Sequence, residues 1–384
     1  MNETTQLHVP GDGTEITADW LTSALHESGD LSPANTVTSV EVGDIGLGRG
    51  FAGVTLRVVP TYGAPEEQAP ASLIAKLPHF LNLNEELSAM VDLMYSNETL
   101  WYRDLSAEIP IRVPKPHWGG MDLENRKFCL LIEELIGLRV FDQRESCSPD
   151  EARLIARDCA RFHAHWWNSR RLEELPWLLS PARMATELIH PRFKAGWPAF
   201  RERYASRLSS EFISAAEPLN ERIPELMLAA ATNGSTVVHG DYRLENFMFG
   251  DLGTDDELVT IDWQLVSTGS GLQDLAYFIS QSLTTELRRS LESELLELYY
   301  ETLRESGVVD YTFEQCQADY RTGLLVSLWI PCNGAGGLGE IEAEGSEGYE
   351  DQEQFETFLE TAWSLFDMLA DRSAQAILDS GARA

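Results

Sequence analysis

The most informative run of this sequence is His239-Gly240-Asp241-Tyr242-Arg243-Leu244-Glu245-Asn246, and Ile261-Asp262-Trp263 follows it after short β-rich runs. Asp241 stands just past an apolar strand pattern, where a side chain can project into a cleft, and Asn246 lies five residues further on. Asp262 follows a second strand pattern, 21 residues after Asp241. A loop, a strand and a turn fit into that separation and can bring both acids to one point. The pattern therefore predicts a site built from two carboxylates and one amide.

These three residue types suit one kind of chemistry. Asp241 can take the proton of a hydroxyl group, or at least orient that hydroxyl. Asn246 and Asp262 can hold Mg²⁺ through oxygen atoms, the ligand type that this hard cation requires. Together they form the minimal set for ATP-dependent phosphoryl transfer. The alternative is that the acid and the amide only cap local turns of a loop.

The overall composition limits the classes of partner. The net charge of −33 would repel nucleic acid and anionic membrane surfaces, so we expect neither partner. A cationic substrate would be attracted, although the acidity can equally be a solubility feature of the proteome. The sequence has no apolar stretch of about 18 residues, and Met1–Gln6 lacks the features of a signal peptide. We therefore expect a cytoplasmic protein, and the sequence does not indicate its oligomeric state.

The cysteines and lysines are informative through their positions. Five widely spaced cysteines without a C-x-x-C pair predict neither a disulfide framework nor a zinc site. Cys129 and Cys159 lie in apolar patterns and are expected to pack as small hydrophobic side chains. Only four lysines occur, and Lys76 ends the apolar strand pattern 72–77. That position favours chemistry that uses a compact ammonium group.

The hydrophobic patterns predict an α+β fold with two lobes. The first lobe, residues 1–134, is expected to hold an antiparallel sheet, an N-terminal helix and one further helix. The second lobe, residues 135–384, is expected to be mainly helical and to carry the catalytic loop. Strands are predicted at 37–42, 54–59, 72–77 and 128–132, and helices at 16–28 and 84–104.

In the second lobe, Ser148 is predicted to cap a helix at about 149–167, with Pro149 at its first position and Glu151 completing a capping box. Short β-rich runs lie between residues 234 and 262. Residues 333–354 are rich in glycine and acid and are predicted to form a mobile or disordered loop, or a lid over the substrate. Further helical patterns occupy about 183–230, 272–306, 312–330 and 353–379.

Gly46, Gly48, Gly50 and Gly53 lie between two strand patterns, and not between a strand and a helix. This position argues against a dinucleotide-binding fingerprint, and the G-K-[ST] pattern of a P-loop is absent. Glycines in a hairpin would instead let the backbone approach the phosphates of ATP closely.

The sequence resembles the aminoglycoside phosphotransferase and choline kinase superfamily of small-molecule kinases. The resemblance is carried by the run 239–249, by Asp262-Trp263-Gln264 and by Leu272-Gln273-Asp274-Leu275-Ala276-Tyr277-Phe278. Within the superfamily the chain is most similar to the ecdysteroid-kinase-like branch and to bacterial phosphotransferase-family proteins, from about Trp20 to the last helix. The resemblance implies a two-lobed protein-kinase-like fold. It also implies transfer of the γ-phosphate of ATP, with Mg²⁺, to a hydroxyl of an aminoglycoside-, choline- or steroid-alcohol-like acceptor.

The resemblance also suggests roles for individual residues. Asp241 matches the catalytic-loop aspartate, Asn246 and Asp262 match the metal ligands, and Lys76 matches the lysine that contacts the α- and β-phosphates. The alternative for Lys76 is a strand-end lysine that reaches solvent. Glu98 is the expected partner of Lys76. Glu85, Glu86 and Asp92 compete for that role, and a solvated helix acid is the alternative.

Two further expectations concern the nucleotide and the loop. Glu133, Glu134 and Leu135 match the hinge segment, whose backbone would bond adenine. Arg243 could stabilise charge on the transferred phosphoryl group, or it could only pair with Glu245 or another acid.

Two supporting residues are expected near the loop. His239 is expected to bond the loop backbone and not to act as a base. Asp274 is expected to orient the loop by accepting backbone N–H bonds.

Two other functions remain open at this stage. A protein kinase would share the base and the metal ligands, but the chain lacks an Ala-Pro-Glu element and an activation segment of the usual length. A nucleotide-binding pseudokinase is the other, although the complete set Lys76, Asp241, Asn246 and Asp262 argues against it. The acceptor and the preference between ATP and GTP cannot be read from the sequence.

Overall fold

The computed structural model describes residues 7–45, 53–78, 85–345 and 352–384, without the side chains of 85–87. The chain divides into two compact units. The first comprises Met1–Arg139 and Phe249–Leu265, and the second comprises Val140–Met248 and Val266–Ala384. From the sequence, the boundary is predicted after residue 134, with the whole of 135–384 in one lobe. In the structure, the segment Phe249–Leu265 belongs to the first unit.

The first unit is built on a five-stranded antiparallel sheet with the strand order β1-β2-β3-β5-β4. The strand patterns predicted from the sequence are confirmed as β1, β2, β3 and β5. Strand β4 was not predicted, because its segment contains two adjacent glycines and no regular alternation of apolar residues. The strands are β1 Val37–Asp44, β2 Gly53–Tyr62, β3 Leu73–Pro78, β4 Pro116–Asp122 and β5 Lys127–Glu133.

The alternation of side chains along β3 separates the core from the candidate site. Leu73, Ala75 and Leu77 are buried in one cluster with Trp20 and Leu21 of helix α1, Ala18–Ser28. Since neighbouring side chains in a strand point to opposite faces, Lys76 points away from that cluster. The helix predicted at 84–104 is confirmed as α2, Glu85–Asp104.

The second unit is mainly helical, as predicted. Helix α3, Pro149–His165, begins with the predicted capping box of Ser148 and Glu151. The long pattern 183–230 is broken into shorter helices, and proline lies inside two of them. The remaining helices are α4 Pro181–Arg183, α5 His190–Tyr204, α6 Ser210–Ala216, α7 Leu219–Asn233, α8 Leu272–Tyr277, α9 Thr285–Glu305, α10 Phe313–Ser327, α11 Trp329–Glu344 and α12 Gln352–Ser380.

Besides short 3-10 turns, the described part of the chain contains two π-helical turns and four further short strands. The π-helical turns are Met184–Ile189, between α4 and α5, and Phe278–Ser282, which continues α8. The β-rich runs predicted between 234 and 262 are confirmed as short strands. These strands are β6 Thr236–Val238, β7 Phe247–Met248 and β8 Val259–Thr260, and β9 follows at Ser267–Gly269.

The prediction of a loop at 333–354 is wrong for residues 333–344, which lie in α11. One glycine of this segment, Gly336, lies where α11 packs closely against Gly196 of α5. A Cβ atom at Gly196 would lie 2.0 Å from the carbonyl oxygen of Cys332, and a Cβ at Gly336 would lie 3.0 Å from Cα of Gly196. Composition suggested a loop because glycine is a poor helix former, but small residues let two helices approach closely. Residues 346–351 lie outside the described part of the chain.

Two further predictions concern the cysteines and the membrane. All five cysteines are unpaired, and Cys129 and Cys159 are buried as predicted. Among the described residues, no helix combines the length and the apolar character needed to cross a lipid bilayer.

Candidate active site

The loop of residues 239–246 in the second unit follows strand β6, which pairs with β9. Gly240 adopts a φ of +83°, the left-handed region that favours glycine, and turns the chain toward Asp241. Asp274 of α8 is buried, and its carboxylate accepts the backbone N–H of His239 at 2.6 Å and of Gly240 at 2.9 Å. The predicted supporting contact of Asp274 is therefore confirmed. Because both bonds reach the two residues before Asp241, they fix the backbone from which its side chain projects.

The Asp241 carboxylate is held by three donors of the same unit. Oδ2 accepts hydrogen bonds from Nε of Arg243 at 3.2 Å and from Nδ2 of Asn246 at 3.0 Å. Oδ1 accepts a hydrogen bond from the hydroxyl of Tyr277 at 3.1 Å. Three predicted site residues, Asp241, Arg243 and Asn246, are thus brought together.

Arg243 and Tyr277 keep their protons beside this carboxylate. Burial lowers the pKa of Arg243, but the negative charges of Asp241 and Glu245 and the hydrogen bond to Asp241 together more than offset it, so that the pKa is raised overall. Burial raises the pKa of Tyr277 well above its usual value, and the charge of Asp241 raises it further. Arg243 also pairs with Glu245, so the acid-pairing alternative for Arg243 is realised in the structure.

His239 supports the loop as expected. Its ring is buried, and Nδ1 lies 3.2 Å from the backbone N–H of Asp241, which it accepts. Because Nδ1 is used to hold the loop backbone, this contact gives His239 the supporting role that was expected of it.

The first unit brings together Lys76, Glu98 and Asp262. Nζ of Lys76 lies 2.5 Å from Oε1 of Glu98 and 3.3 Å from Oδ1 of Asp262. The Glu98 side chain is 1% exposed and that of Lys76 is 16% exposed, so this group is largely shielded from solvent. The alternative of a lysine that reaches solvent is wrong.

The charges of this cluster depend on one another. Burial would lower the pKa of Lys76, but the carboxylates of Asp262 and Glu98 raise it above its usual value, and Lys76 remains a cation. Burial raises the pKa of Glu98, and the charge of Lys76 partly offsets that effect. Among the competing partners, Asp92 pairs with Arg126, whereas the side chains of Glu85 and Glu86 lie outside the described part.

The backbone at Asp262 has an unusual conformation, with a φ of +67°. A non-glycine residue with such a φ is uncommon, and residues held in sparsely populated regions of this kind cluster at functional sites. The next residue, Trp263, is fully buried and stacks on Trp101 of α2 with ring centroids 3.8 Å apart. This stack anchors the chain directly after Asp262 to the helix that carries Glu98.

The remaining predicted nucleotide residues fall into two groups. Gly46, Gly48 and Gly50 lie outside the described residues. Gly53 begins β2, where a Cβ atom would lie 1.4 Å from the hydroxyl oxygen of Tyr95, so only glycine fits.

The predicted hinge follows the end of β5, and its two acids are engaged in ion pairs. Glu133 pairs with Arg112 at 2.7 Å and also accepts the backbone N–H of Lys115. Glu134 pairs with Arg57 at 2.9 Å, and Leu135 is half-buried. Both carboxylates therefore have partners in the sheet unit, and the backbone N–H of Glu133 donates to the carbonyl oxygen of Lys115 at 2.9 Å.

Each unit offers one side chain of the type that binds magnesium. In the second unit, Nδ2 of Asn246 is used on Asp241, which leaves the amide oxygen as its ligating atom. In the first unit, Asp262 offers carboxylate oxygens, and its Oδ1 lies 3.3 Å from Nζ of Lys76. Within the described ranges, no group of three or more histidine, cysteine or acidic side chains could hold a metal by itself.

Two contacting residues were not predicted from the sequence. Tyr277 contacts Asp241 in the second unit, and Gln264 contacts Glu98 in the first. Gln264 donates through Nε2 to Glu98 at 3.5 Å, and its carbonyl oxygen accepts from Asn97 at 3.4 Å. Tyr277 carried a detectable signal, because it lies three residues after Asp274 and shares its helix face. No spacing rule connects Gln264 with Glu98, which lies 166 residues earlier.

The sequence and the fold were compared with known proteins. A sequence model of the family described as "Ecdysteroid kinase-like family" matches residues 47–308. A curated Caenorhabditis elegans protein named "Uncharacterized oxidoreductase dhs-27" is 20% identical over 355 residues. The match covers 82% of this chain but 41% of that relative, so the chain spans less than half the length of the curated relative.

Two solved structures have a similar fold. A protein described as an aminoglycoside phosphotransferase from Ralstonia eutropha JMP134 is 15% identical, covers 92% of this chain and 97% of its own, and has a TM-score of 0.51. A choline kinase from Cryptosporidium parvum Iowa II is 13% identical, covers 89% of this chain and 91% of its own, and has a TM-score of 0.50. These likenesses confirm the predicted α+β, two-lobed kinase-like fold.

Proposed function

The chain belongs to the ecdysteroid kinase-like family, and we propose that it transfers the γ-phosphate of ATP to a hydroxyl group of a small organic molecule. The observation that carries the proposal is the orientation of the Asp241 carboxylate. Three donors hold it, and Asp274 fixes the backbone of the loop just before it. A carboxylate oriented in this way can accept the proton of an alcohol. Catalysis would rest on positioning and on charge neutralisation, without a covalent enzyme intermediate.

The first unit would hold the nucleotide. Lys76, kept charged and oriented by Glu98, would contact the α- and β-phosphates as a compact cation. The backbone of Glu133, Glu134 and Leu135 would bond adenine, and the glycines Gly46, Gly48 and Gly50 would lie close to the phosphates.

Asn246 and Asp262 would hold Mg²⁺, which would neutralise charge on the phosphate oxygens. Arg243 would add a fixed positive charge beside the base. Its guanidinium is shared with Asp241 and Glu245, so its position does not depend on the substrate. The protein would thus provide charge stabilisation that requires little rearrangement during the reaction.

The acceptor would be a small alcohol of the aminoglycoside, choline or steroid-alcohol type. The family description supports a place for steroid alcohols in this set. The net charge of −33 argues against nucleic acid and anionic membrane surfaces as partners, and we propose a cytoplasmic location.

A panel of chemically diverse alcohols, scored by ATP consumption with and without Mg²⁺, tests the function. We expect Mg²⁺-dependent consumption that rises with at least one alcohol, and a phosphate ester of that alcohol in the mass spectrum. A set of generic protein substrates belongs in the same experiment. Phosphorylation of those proteins but of no alcohol would show a protein kinase, and nucleotide binding without any turnover would show a pseudokinase. Either result would contradict the proposal.

A further inference from the structure

One helical segment of the second unit contacts the catalytic loop at three successive points. Asp274 accepts the backbone N–H groups of His239 and Gly240. One turn later, the hydroxyl of Tyr277 donates to Oδ1 of Asp241 at 3.1 Å. The segment then ends at Ser282, whose Oγ accepts the backbone N–H of Leu244 at 3.0 Å. The loop is therefore bonded to this segment before, at and after the candidate base.

The third contact depends on the π-helical turn Phe278–Ser282. In a continuous α-helix, residue 281 would follow Tyr277 on the same face, four positions later. Gln281 instead donates to the backbone oxygen of Ser327 at 3.0 Å, and Ser282 bonds the loop. A π-helical turn holds an extra residue, which shifts the register by about one position. The turn thus places a hydroxyl where an α-helix would place the longer glutamine.

The two oxygens of the Asp241 carboxylate accept unequal numbers of hydrogen bonds. A carboxylate offers about four lone-pair sites, roughly two on each oxygen. Oδ2 accepts from both Arg243 and Asn246, so its sites are occupied. Within this unit, the described partner of Oδ1 is Tyr277, and one site on Oδ1 remains for a further donor.

We propose that Tyr277 is a positioning residue that fixes Oδ1 of Asp241 as the atom that takes the proton of the acceptor. The inference rests on the proposed function. In the reaction, the O–H bond of the alcohol breaks and its proton moves to Oδ1. The alcohol oxygen bonds to the γ-phosphorus, and the bond from phosphorus to the β,γ-bridging oxygen breaks, with its electron pair leaving on ADP.

Tyr277 is suited to this task because it donates without exchanging its own proton. Its side chain is 5% exposed, and burial together with the charge of Asp241 raises the pKa of its hydroxyl. Its donated bond holds the plane of the carboxylate, so that the remaining site on Oδ1 points in one direction. Without it, the carboxylate could rotate about the bond to Cβ, and fewer bound alcohols would meet an oxygen in the correct orientation.

The variant Tyr277→Phe tests the proposal by separating kcat from KM. The probes are MgATP with water as the acceptor and MgATP with the best alcohol of the panel. We expect kcat to fall by about 10- to 100-fold, the range of one hydrogen bond to a charged group, with the KM for ATP unchanged within about twofold. The same change should have little effect on kcat in an Asp241→Asn background, because Tyr277 acts through that carboxylate.

Tyr311→Phe is the matched control. Tyr311 is also buried in the second unit, and its hydroxyl donates to Asp319 at 2.8 Å, a tyrosine–aspartate pair without a contact to the loop. Its kcat should equal that of the wild type. If Tyr277→Phe keeps kcat within twofold in an active enzyme, or if its effect adds fully to that of Asp241→Asn, the inference is overturned while the proposed function stands. A wild-type protein without turnover on either probe would overturn both.

Hydrogen exchange tests the π-helical contact without any substrate. In Ser282→Ala, the amide of Leu244 loses its acceptor and should exchange at least about tenfold faster. Ser280→Ala is a change in the same turn, at a hydroxyl that donates to the backbone oxygen of Tyr277 at 3.5 Å, and it should leave the exchange of that amide unchanged. Equal exchange in the two variants would contradict the role of the turn.

Discussion

The position of Lys76 in strand β3 explains which side chains surround its ammonium group. The alternation of β3 sends Leu73, Ala75 and Leu77 into the core and leaves the ammonium group of Lys76 beside Glu98 and Asp262. A buried cation without partners would lose its proton or unfold the site. Because the two carboxylates raise its pKa, the lysine keeps the charge that its proposed role at the phosphates requires.

We predict that Lys76→Met destabilises the fold by on the order of 3 kcal/mol, because it leaves Glu98 buried without its cation. Adding Glu98→Gln should restore much of the stability, since the uncompensated acid is then gone, whereas MgATP turnover should remain low. Urea denaturation and steady-state kinetics measure the two effects separately.

Lys115→Met is the control for that change. Lys115 is 57% exposed, and its partner Asp30 keeps a second bond from Nδ1 of His117 at 2.8 Å. The loss of stability should therefore be smaller, with turnover unchanged. Equal losses of stability and activity in the two methionine variants would contradict the special role of Lys76.

Asp319 predicts a pH dependence of folding. Burial raises its pKa to about 6, although Tyr311 and Asn233 donate hydrogen bonds that lower it. A raised carboxyl pKa means that the folded state binds more protons than the unfolded state between pH 4 and 6, so this group favours folding more as the pH falls through 6. Relative to the wild type, Asp319→Asn should therefore gain stability from pH 4 to pH 7, by up to about 3 kcal/mol.

The measurement is urea unfolding of both proteins across that pH range. Asp310→Asn, at an exposed position nearby, should follow the wild-type curve because water solvates that side chain in both states. A difference between Asp319→Asn and the wild type that stays constant from pH 4 to pH 7 would show that the buried carboxylate does not titrate in this way.

The residues that could be predicted from the sequence were those that a local pattern marks. Asp241 and Asn246 stand at a fixed spacing after a strand, and Lys76 lies near the end of one. Tyr277 was marked in the sequence by the helix face that it shares with Asp274, whereas no local pattern marks Gln264. The contact of Tyr277 with Asp241 spans 36 positions of the chain, and that of Gln264 with Glu98 spans 166. Such contacts depend on how elements pack, and a single sequence does not record that packing.

At the scale of elements, α11 shows where composition misleads. Its run of glycines and acids is typical of a loop, yet residues 333–344 are helical and pack against α5. Glycine weakens a helix by itself, but Gly196 and Gly336 let two backbones approach to a distance that no side chain would permit. Helices α3, α10 and α12 were predicted correctly, since their caps or apolar spacing are local signals.

We predict that alanine at two glycines of this packing will have opposite effects. Gly196→Ala should destabilise the protein by at least about 1–3 kcal/mol, because its Cβ would lie 2.0 Å from a backbone oxygen that cannot move freely. Gly337→Ala, in the adjacent helix α11, meets nothing within 4 Å and should stabilise it by about 0.5–1 kcal/mol. Thermal unfolding of both variants measures the difference, and a stabilising Gly196→Ala would contradict the close helix contact.

At the scale of the whole molecule, the first unit is discontinuous in sequence. The segment Phe249–Leu265 belongs with Met1–Arg139, so Asp262 lies in the unit of Lys76 although it follows Asp241 closely along the chain. The segment was predicted to lie in the second lobe, because the composition changes gradually along the chain. No sequence signal shows that the chain re-enters the first unit at residue 249. The fold class was nevertheless predictable, since strands cluster before residue 134 and helices after 148.

This division assigns the two halves of the proposed reaction to different parts of the chain. The residues proposed for the phosphates, Lys76 and Asp262, lie in the first unit, and the proposed base Asp241 lies in the second. A change at the base should therefore impair transfer and spare nucleotide binding.

The turnover of Asp241→Asn with MgATP and the best alcohol of the panel tests directly whether Asp241 takes the proton of the acceptor. Asparagine keeps the size of the side chain but cannot accept the proton as a carboxylate does. We predict that kcat falls by about 10²- to 10⁴-fold while the Kd for the nucleotide stays close to that of the wild type. Turnover near the wild-type rate would contradict the assignment of Asp241 as the base, and with it the proposed mechanism.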